Sequence, residues 1–294
     1  MSRTAFAFGI DEAGRGPVLG PLVYAGAAYP AARVSELRDW GCDDSKQISA
    51  ASREALYSRI EQSAECMSVI DVLSAELISE QMLAVKRVSL NKLSHDSAIG
   101  LVERALAQGI NITELYVDTV GPPEKYESLL QSRFPRIRKV VVSKKADHLF
   151  PVVSAASIVV KVTRDRILSE WQFSGARANS YGRVFGSGYP GDPSTKAWLR
   201  AHLHPVFGFP NLVRFSWSTI PSLLESEGAV SVSWRESENE QDEFVFGSTK
   251  ANTSTRKITS YFQRVPAPST AGGKVAKAKH RPKFLVARQI FLQD

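Results

Sequence analysis

Four acidic side chains stand where they could do metal chemistry: Asp11 and Glu12, Asp118, and Asp147. Asp11 closes a short apolar run at residues 6–10, and Asp118 closes another at residues 115–117. Asp147 precedes a long helical pattern, near what would be its positive end. Open α/β sheets bind ligands beyond the carboxyl ends of their strands. Converging carboxylates repel one another unless a cation neutralises them. Oxygen donors without a thiolate suit Mg2+ or Mn2+. Two such ions about 3.5–4 Å apart activate a water and stabilise the leaving oxygen of an in-line phosphoryl displacement. Adjacent strand residues point to opposite faces, so Asp11 and Glu12 share a site only if the chain turns there, and Gly14 and Gly16 permit a turn. Any one of these acids alone reads more readily as a cap or turn residue.

The elements that must position them alternate between strand and helix, which indicates an α/β class with a central sheet flanked by helices. Strands are expected at residues 6–10, 22–28, 65–72, 115–117 and 139–142. Helices are expected at 49–64, 94–108, from Pro123 or Glu124 to about Phe134, and at 152–171. For the 94–108 helix, Ser94 reads as the N-cap, Ile99, Val102 and Leu106 form the apolar stripe, and Gly109 suits the left-handed residue after a helix end.

The chain has 294 residues, 43% of them hydrophobic, enough to bury a core. Lys and Arg exceed Asp and Glu by 37 to 30, a formal charge of +7, which suits a polyanionic partner without requiring one. The two cysteines, Cys42 and Cys66, have no metal-ligand spacing, which argues against a disulfide scaffold or zinc ribbon and fits a reducing compartment. No signal-peptide pattern and no apolar run long enough to span a bilayer is visible, so no membrane role is expected. Composition changes after Leu224. Residues 1–224 read as the catalytic domain including a helical C-terminal portion, 225–256 as an acidic and polar linker, and 257–294 as a basic tail. The last two stretches lack the apolar surface to offset ordering entropy, so a flexible tail is expected. Its basic run suggests nuclear import.

The words around the acids are more specific than the acids themselves. Gly9-Ile10-Asp11-Glu12-Ala13-Gly14-Arg15-Gly16-Pro17 resembles the N-terminal signature of the type 2 ribonucleases H. Asp44-Ser45-Lys46, Leu93-Ser94-His95-Asp96, Val117-Asp118-Thr119-Val120-Gly121 and Lys145-Ala146-Asp147 follow in the family's order. Gly186-Ser187-Gly188-Tyr189-Pro190, Phe207-Gly208-Phe209-Pro210 and Arg214-Phe215-Ser216-Trp217 continue it, so the resemblance covers roughly residues 6–220. The later blocks look more like the eukaryotic catalytic subunit than the bacterial enzyme. The resemblance implies a ribonuclease H fold with a mixed sheet and a helical C-terminal portion. It implies Asp11, Glu12, Asp118 and Asp147 as catalytic metal ligands for Mg2+ or Mn2+, with two ions. It implies hydrolysis of RNA in RNA–DNA hybrids and incision 5′ of ribonucleotides embedded in DNA, leaving a 3′-hydroxyl and a 5′-phosphate. It also implies a heterotrimer with two accessory subunits, working in ribonucleotide removal and RNA primer processing.

Discrimination of RNA from DNA rests on the 2′-hydroxyl. Gly14-Arg15-Gly16 looks like the family's backbone sensor of that group, and Tyr189 matches the tyrosine that packs on the sugar at the RNA–DNA junction. An isolated G-x-G would be a tight turn and a lone loop tyrosine surface packing; the ordered blocks reverse both readings. Lys46, Lys144, Lys145, Lys161 and Arg164 are candidate phosphate contacts. His202 and His204 read as structural. In the tail, Ile258, Tyr261 and Phe262 form a compact apolar cluster, with three readings: docking onto an accessory subunit, packing back on the catalytic domain, or binding a sliding clamp. Two functional alternatives stand beside the ribonuclease: another nuclease or transposase of the same fold, and a non-catalytic nucleic-acid-binding protein.

Overall fold

The computed structural model describes residues 4–42, 49–119, 121–175 and 177–230. In chain order the elements are β1 (Phe6–Ala13), β2 (Leu22–Pro30), α1 (Glu36–Asp39), α2 (Ala50–Gln62), β3 (Met67–Leu73), α3 (Ala75–Leu83) and α4 (Leu90–Ala107). There follow β4 (Ile112–Asp118), α5 (Pro123–Arg133), β5 (Lys139–Ser143), α6 (Ala146–Leu149), α7 (Pro151–Ser169), α8 (Pro193–His202) and α9 (Thr219–Ser226). The sheet order is β3-β2-β1-β4-β5. β2 pairs antiparallel with β1 and β3, while β4 pairs parallel with β1 and β5, which makes the sheet mixed.

Alternation along β1 sends Phe8 and Ile10 to one face and Ala7 to the other. On the first face they pack with Ala98, Leu101 and Val102 of α4 and Tyr126 and Leu130 of α5. On the second, Ala7, Val23 and Ala25 meet Val152, Val153, Ala156 and Val160 of α7. The small residues bring α7 close: a Cβ on Gly9 would come within 2.4 Å of the Val152 backbone. A third cluster, built on Val18, Leu19, Trp198, Leu212 and Ile220, docks α8 and α9 against the loop after β1 and forms the expected helical C-terminal portion. Among the described residues no helix is long and apolar enough to cross a membrane.

Among the boundaries that differ from the sequence reading, one bears directly on the site. The helix expected at 94–108 begins earlier, at Leu90, and its N-cap is Ser89, whose hydroxyl accepts the Lys92 N–H. Leu90 and Leu93 pack on the core and draw the extra turn in, which leaves Ser94 buried inside the helix with a different task. Gly109 does take the left-handed conformation after the helix, with φ of +85°.

Candidate active site

The parallel register between β1 and β4 ends at Ile10 opposite Val117, but β1 runs on to Ala13 against β2. Asp11 therefore lies level with Asp118, the last residue of β4, and Glu12 one residue beyond it. The strand continues through both acids, and the chain turns just after them at Gly14, one of the two glycines that permit a turn, where φ is +87°. The two acids accordingly alternate. Asp11, 5% exposed, faces α7, where the Ser157 hydroxyl donates to it and the Lys161 charge is felt. Glu12 stands opposite Tyr24 on β2, in reach of the Arg15 charge. Asp118 acts on both from the tip of β4. Its Oδ1 accepts the Ala146 N–H at 2.8 Å. Lys145, left-handed at φ 56°, swings the chain from β5 into α6 so that this N–H is presented. Asp147 is the next residue, 2% exposed, in the short α6 rather than directly at the start of α7. His148 Nε2 lies 3.8 Å from its Oδ1.

Burial first, and the Asp118 charge after it, raise the Asp11 carboxyl from its ordinary 3.8 to about 7. Burial and then the charges of Asp11 and Asp118 raise Glu12 from 4.5 to about 8. Burial is the larger cause in both, and the mutual repulsion of the gathered carboxylates adds to it. The donor set is carboxylate oxygen, which fits a hard divalent ion. Among the described residues no three His, Cys, Asp or Glu side chains already form a cage. Mg2+ needs none, since it keeps several waters and binds through one or two carboxylates plus substrate phosphate.

A pH dependence follows. The folded protein keeps protons on Asp11 and Glu12 that the unfolded chain releases near their ordinary values, so stability falls as pH rises toward and through about 7 and 8. The metal-free melting temperature is expected to drop between about pH 5 and 8, with Mg2+ restoring it at the upper end. Thermal melts in chelator and in Mg2+ across that window check this; a flat or rising profile in chelator would contradict it.

The glycine turn is held from behind. Arg214 is fully buried, and its guanidinium donates to the carbonyls of Gly14 (2.6 Å), Arg15 (3.1 Å) and Gly20 (2.8 Å). It lies 4.7 Å over the Trp217 ring, and Trp217 Nε1 donates to the Gly16 carbonyl at 3.0 Å. Burial, and then the Arg164 charge, lower the Arg214 pKa to about 9, so it remains a cation at neutral pH. Gly14 has no room for a side chain, since a Cβ would come within 2.3 Å of Arg164 Nε. Arg15 reaches the other way, donating to Ser94 Oγ at 2.7 Å and to Asn91 Oδ1. Tyr189 is half exposed, with its ring edge over Gly16. Its loop is pinned by Val18 N–H to the Gly188 carbonyl (2.8 Å) and by Gly188 N–H to Thr195 Oγ1 (3.0 Å).

The structure thus brings Asp11, Glu12 and Asp118 together electrostatically, sets Asp147 one residue from the Asp118 contact, and puts Tyr189 on the glycine turn. Lys46, Ile258, Tyr261 and Phe262 lie outside the described residues. His202 is internal: its Nε2 accepts the Gly182 N–H and its Nδ1 bonds the Trp198 carbonyl. Sequence reasoning gives no role to Arg214, Trp217 or Ser157. The Arg214-to-Trp217 block is visible only as a family word, because a contact across 200 positions has no local periodicity.

The family model for ribonuclease HII matches residues 8–220. A relative from Homo sapiens, named as one subunit of ribonuclease H2, is 49% identical over 254 residues, which cover 86% of this chain and 81% of the relative. The corresponding ribonuclease H2 subunit of Arabidopsis thaliana is 46% identical over 282 residues, covering 96% and 92%. Among solved structures, the ribonuclease H2 from Pyrococcus horikoshii superposes with a TM-score of 0.62 at 32% identity, over 76% of this chain and 98% of that one. The RNase HII in a PCNA:RNase HII complex from Archaeoglobus fulgidus gives 0.61 at 32% identity, over 74% and 96%.

Proposed function

The chain belongs to the ribonuclease HII family and is a ribonuclease H, an endonuclease of RNA–DNA hybrids, and we propose that it also incises duplex DNA on the 5′ side of an embedded ribonucleotide, leaving a 3′-hydroxyl and a 5′-phosphate. One observation carries this reading. Arg214 and Trp217 draw the carbonyls of Gly14, Arg15 and Gly16 inward. A trans peptide sets its N–H opposite its C=O. The N–H groups of Arg15 and Gly16 therefore face away from Arg214, beside the Tyr189 ring, where a ribose 2′-hydroxyl oxygen would find donors and a sugar face would find a ring.

In this reading Asp11, Glu12, Asp118 and Asp147 would hold Mg2+ or Mn2+, two ions in the fullest form, and bound metal would supply water activation and neutralisation of phosphate charge. The protein's own work is positional. Ser157 orients Asp11, and the Ala146 N–H orients Asp118. The Arg214 charge meets carbonyl dipoles that do not cancel it, so the floor of the turn stays positive toward the substrate backbone.

Relatives that are each one subunit of ribonuclease H2 support a multi-subunit complex, for which we propose two accessory subunits and a nuclear setting. The solved PCNA complex of the Archaeoglobus fulgidus relative keeps a sliding clamp among the proposed partners of Ile258, Tyr261 and Phe262.

Tyr189→Ala is expected to damage cleavage at a single embedded ribonucleotide more than cleavage of a long hybrid. The hybrid offers several registers and many 2′-hydroxyl contacts, whereas the single site depends on one junction. Loss of one aromatic stacking contact is expected to cost about 5- to 150-fold, from ~1–3 kcal/mol per stacked group. Parallel kcat/KM measurements on both substrates check this, and equal losses would remove the junction role.

A further inference from the structure

The first two turns of α4 touch both halves of the site. Asn91, Ser94 and His95 sit at i, i+3 and i+4, one helix face. Asn91 and Ser94 receive the Arg15 guanidinium from the glycine turn. Ser94 is also hydrogen-bonded with the Tyr24 hydroxyl, and Tyr24 is the register partner of Glu12. His95 lies flat on Tyr126, with ring centroids 4.0 Å apart and planes 13° from parallel. Tyr126 is buried in the first turns of α5, the helix that follows the Asp118 loop. It shares the core cluster with Tyr24.

We propose that His95 is a positioning residue: by stacking on Tyr126 it fixes the start of α5, the helix that follows β4, relative to the α4 face that holds Arg15. This rests on the reading of the site given above. The alternative is that the stack only fills volume. Three features favour positioning. The stack lies at the site's edge of the core, since the Arg15 charge acts on His95 and the Glu12 charge on Tyr126. It ties a helix bearing sensor contacts to the helix after a catalytic strand. Burial, and then the Arg15 charge, hold the imidazole pKa below its ordinary value, so the ring is neutral at neutral pH and stacks as an uncharged plane. What the face requires is then a flat ring rather than a proton donor, and phenylalanine should substitute.

The test uses the full chain assembled with its accessory subunits, in saturating Mg2+, on a duplex with one ribonucleotide. His95→Ala is expected to lower kcat about 10- to 100-fold with KM little changed, in the range a displacement near 1 Å costs. His95→Phe is expected to restore most of kcat. Melting curves of each variant show whether the fold survives, and rates are taken per folded, assembled enzyme. If His95→Ala keeps normal kcat, or if His95→Phe is as impaired as alanine, the positioning role is overturned. An unaltered complex that cuts no ribonucleotide substrate overturns the functional reading itself, and this inference with it. A Phe-rescued kcat, with KM and melting temperature little moved, is the result the proposal requires.

Discussion

Replacing Asp118 with asparagine is expected to reduce turnover in saturating Mg2+ by at least ~10²–10³-fold while leaving the protein folded. Asparagine has nearly the same shape. Its carbonyl oxygen can still accept the Ala146 N–H that Asp118 Oδ1 accepts now, so the link from β4 to α6 survives. What disappears is the negative charge that acts on both Asp11 and Glu12. The metal-free variant should therefore melt higher than the unaltered protein near pH 8, because a repulsion has been removed. The same variant should gain less from added Mg2+. Opposite signs for stability and activity distinguish a ligand from a scaffold residue, whose loss lowers both. Asp147→Asn should lose activity similarly. Near-normal single-turnover cleavage by both variants would contradict the assignment.

The second large effect is expected at Arg214. Methionine keeps much of the apolar bulk but leaves the carbonyls of Gly14, Arg15 and Gly20 without their donor in a buried place. An unsatisfied buried polar group costs about 1–3 kcal/mol, so Arg214→Met should lose several kcal/mol of stability. Lysine at 214 keeps the charge as a point donor and cannot reproduce the guanidinium fork. Arg214→Lys should retain more stability than methionine yet still lose discrimination between ribose and deoxyribose at the cleavage site, because the outward N–H groups are no longer fixed. Trp217→Phe removes the hydrogen bond to the Gly16 carbonyl and leaves a smaller ring beneath Arg214, and should show a milder form of the same defect. The checks are denaturant unfolding and cleavage of matched duplexes. An Arg214→Lys enzyme with unaltered stability and selectivity would refute the role.

Much of this architecture is legible in the residues. Short apolar runs ending in acids locate β1 and β4, and glycine at 109 marks the end of α4, because these signals are local. The failures are equally physical. Ser94 looks like a cap because serine before an apolar stripe usually is one; in the fold, Leu90 and Leu93 find core to bury, the helix starts at Ser89, and Ser94 becomes an acceptor for Arg15. Neighbouring strand residues diverge, so a turn, permitted by Gly14 and Gly16, looks necessary for Asp11 and Glu12 to share a site. The structure keeps them divergent, with Asp11 toward α7 and Glu12 toward Tyr24, and couples them through a common end of the sheet. Arg214 and His95 owe their neighbours to the packing of distant segments, and no spacing rule encodes Tyr126 or the Gly14 carbonyl as their partner.

The central claim is tested most directly by one cleavage experiment. The full chain, assembled with its accessory subunits, is given a DNA duplex carrying one ribonucleotide and, in parallel, the all-DNA duplex of the same sequence, each with Mg2+ and with chelator. A Mg2+-dependent cut 5′ of the ribonucleotide, with a 3′-hydroxyl and a 5′-phosphate at the nick and no cut in all-DNA, is the predicted result. Cleavage of the all-DNA duplex at a comparable rate, or no metal-dependent cleavage of either, would contradict it.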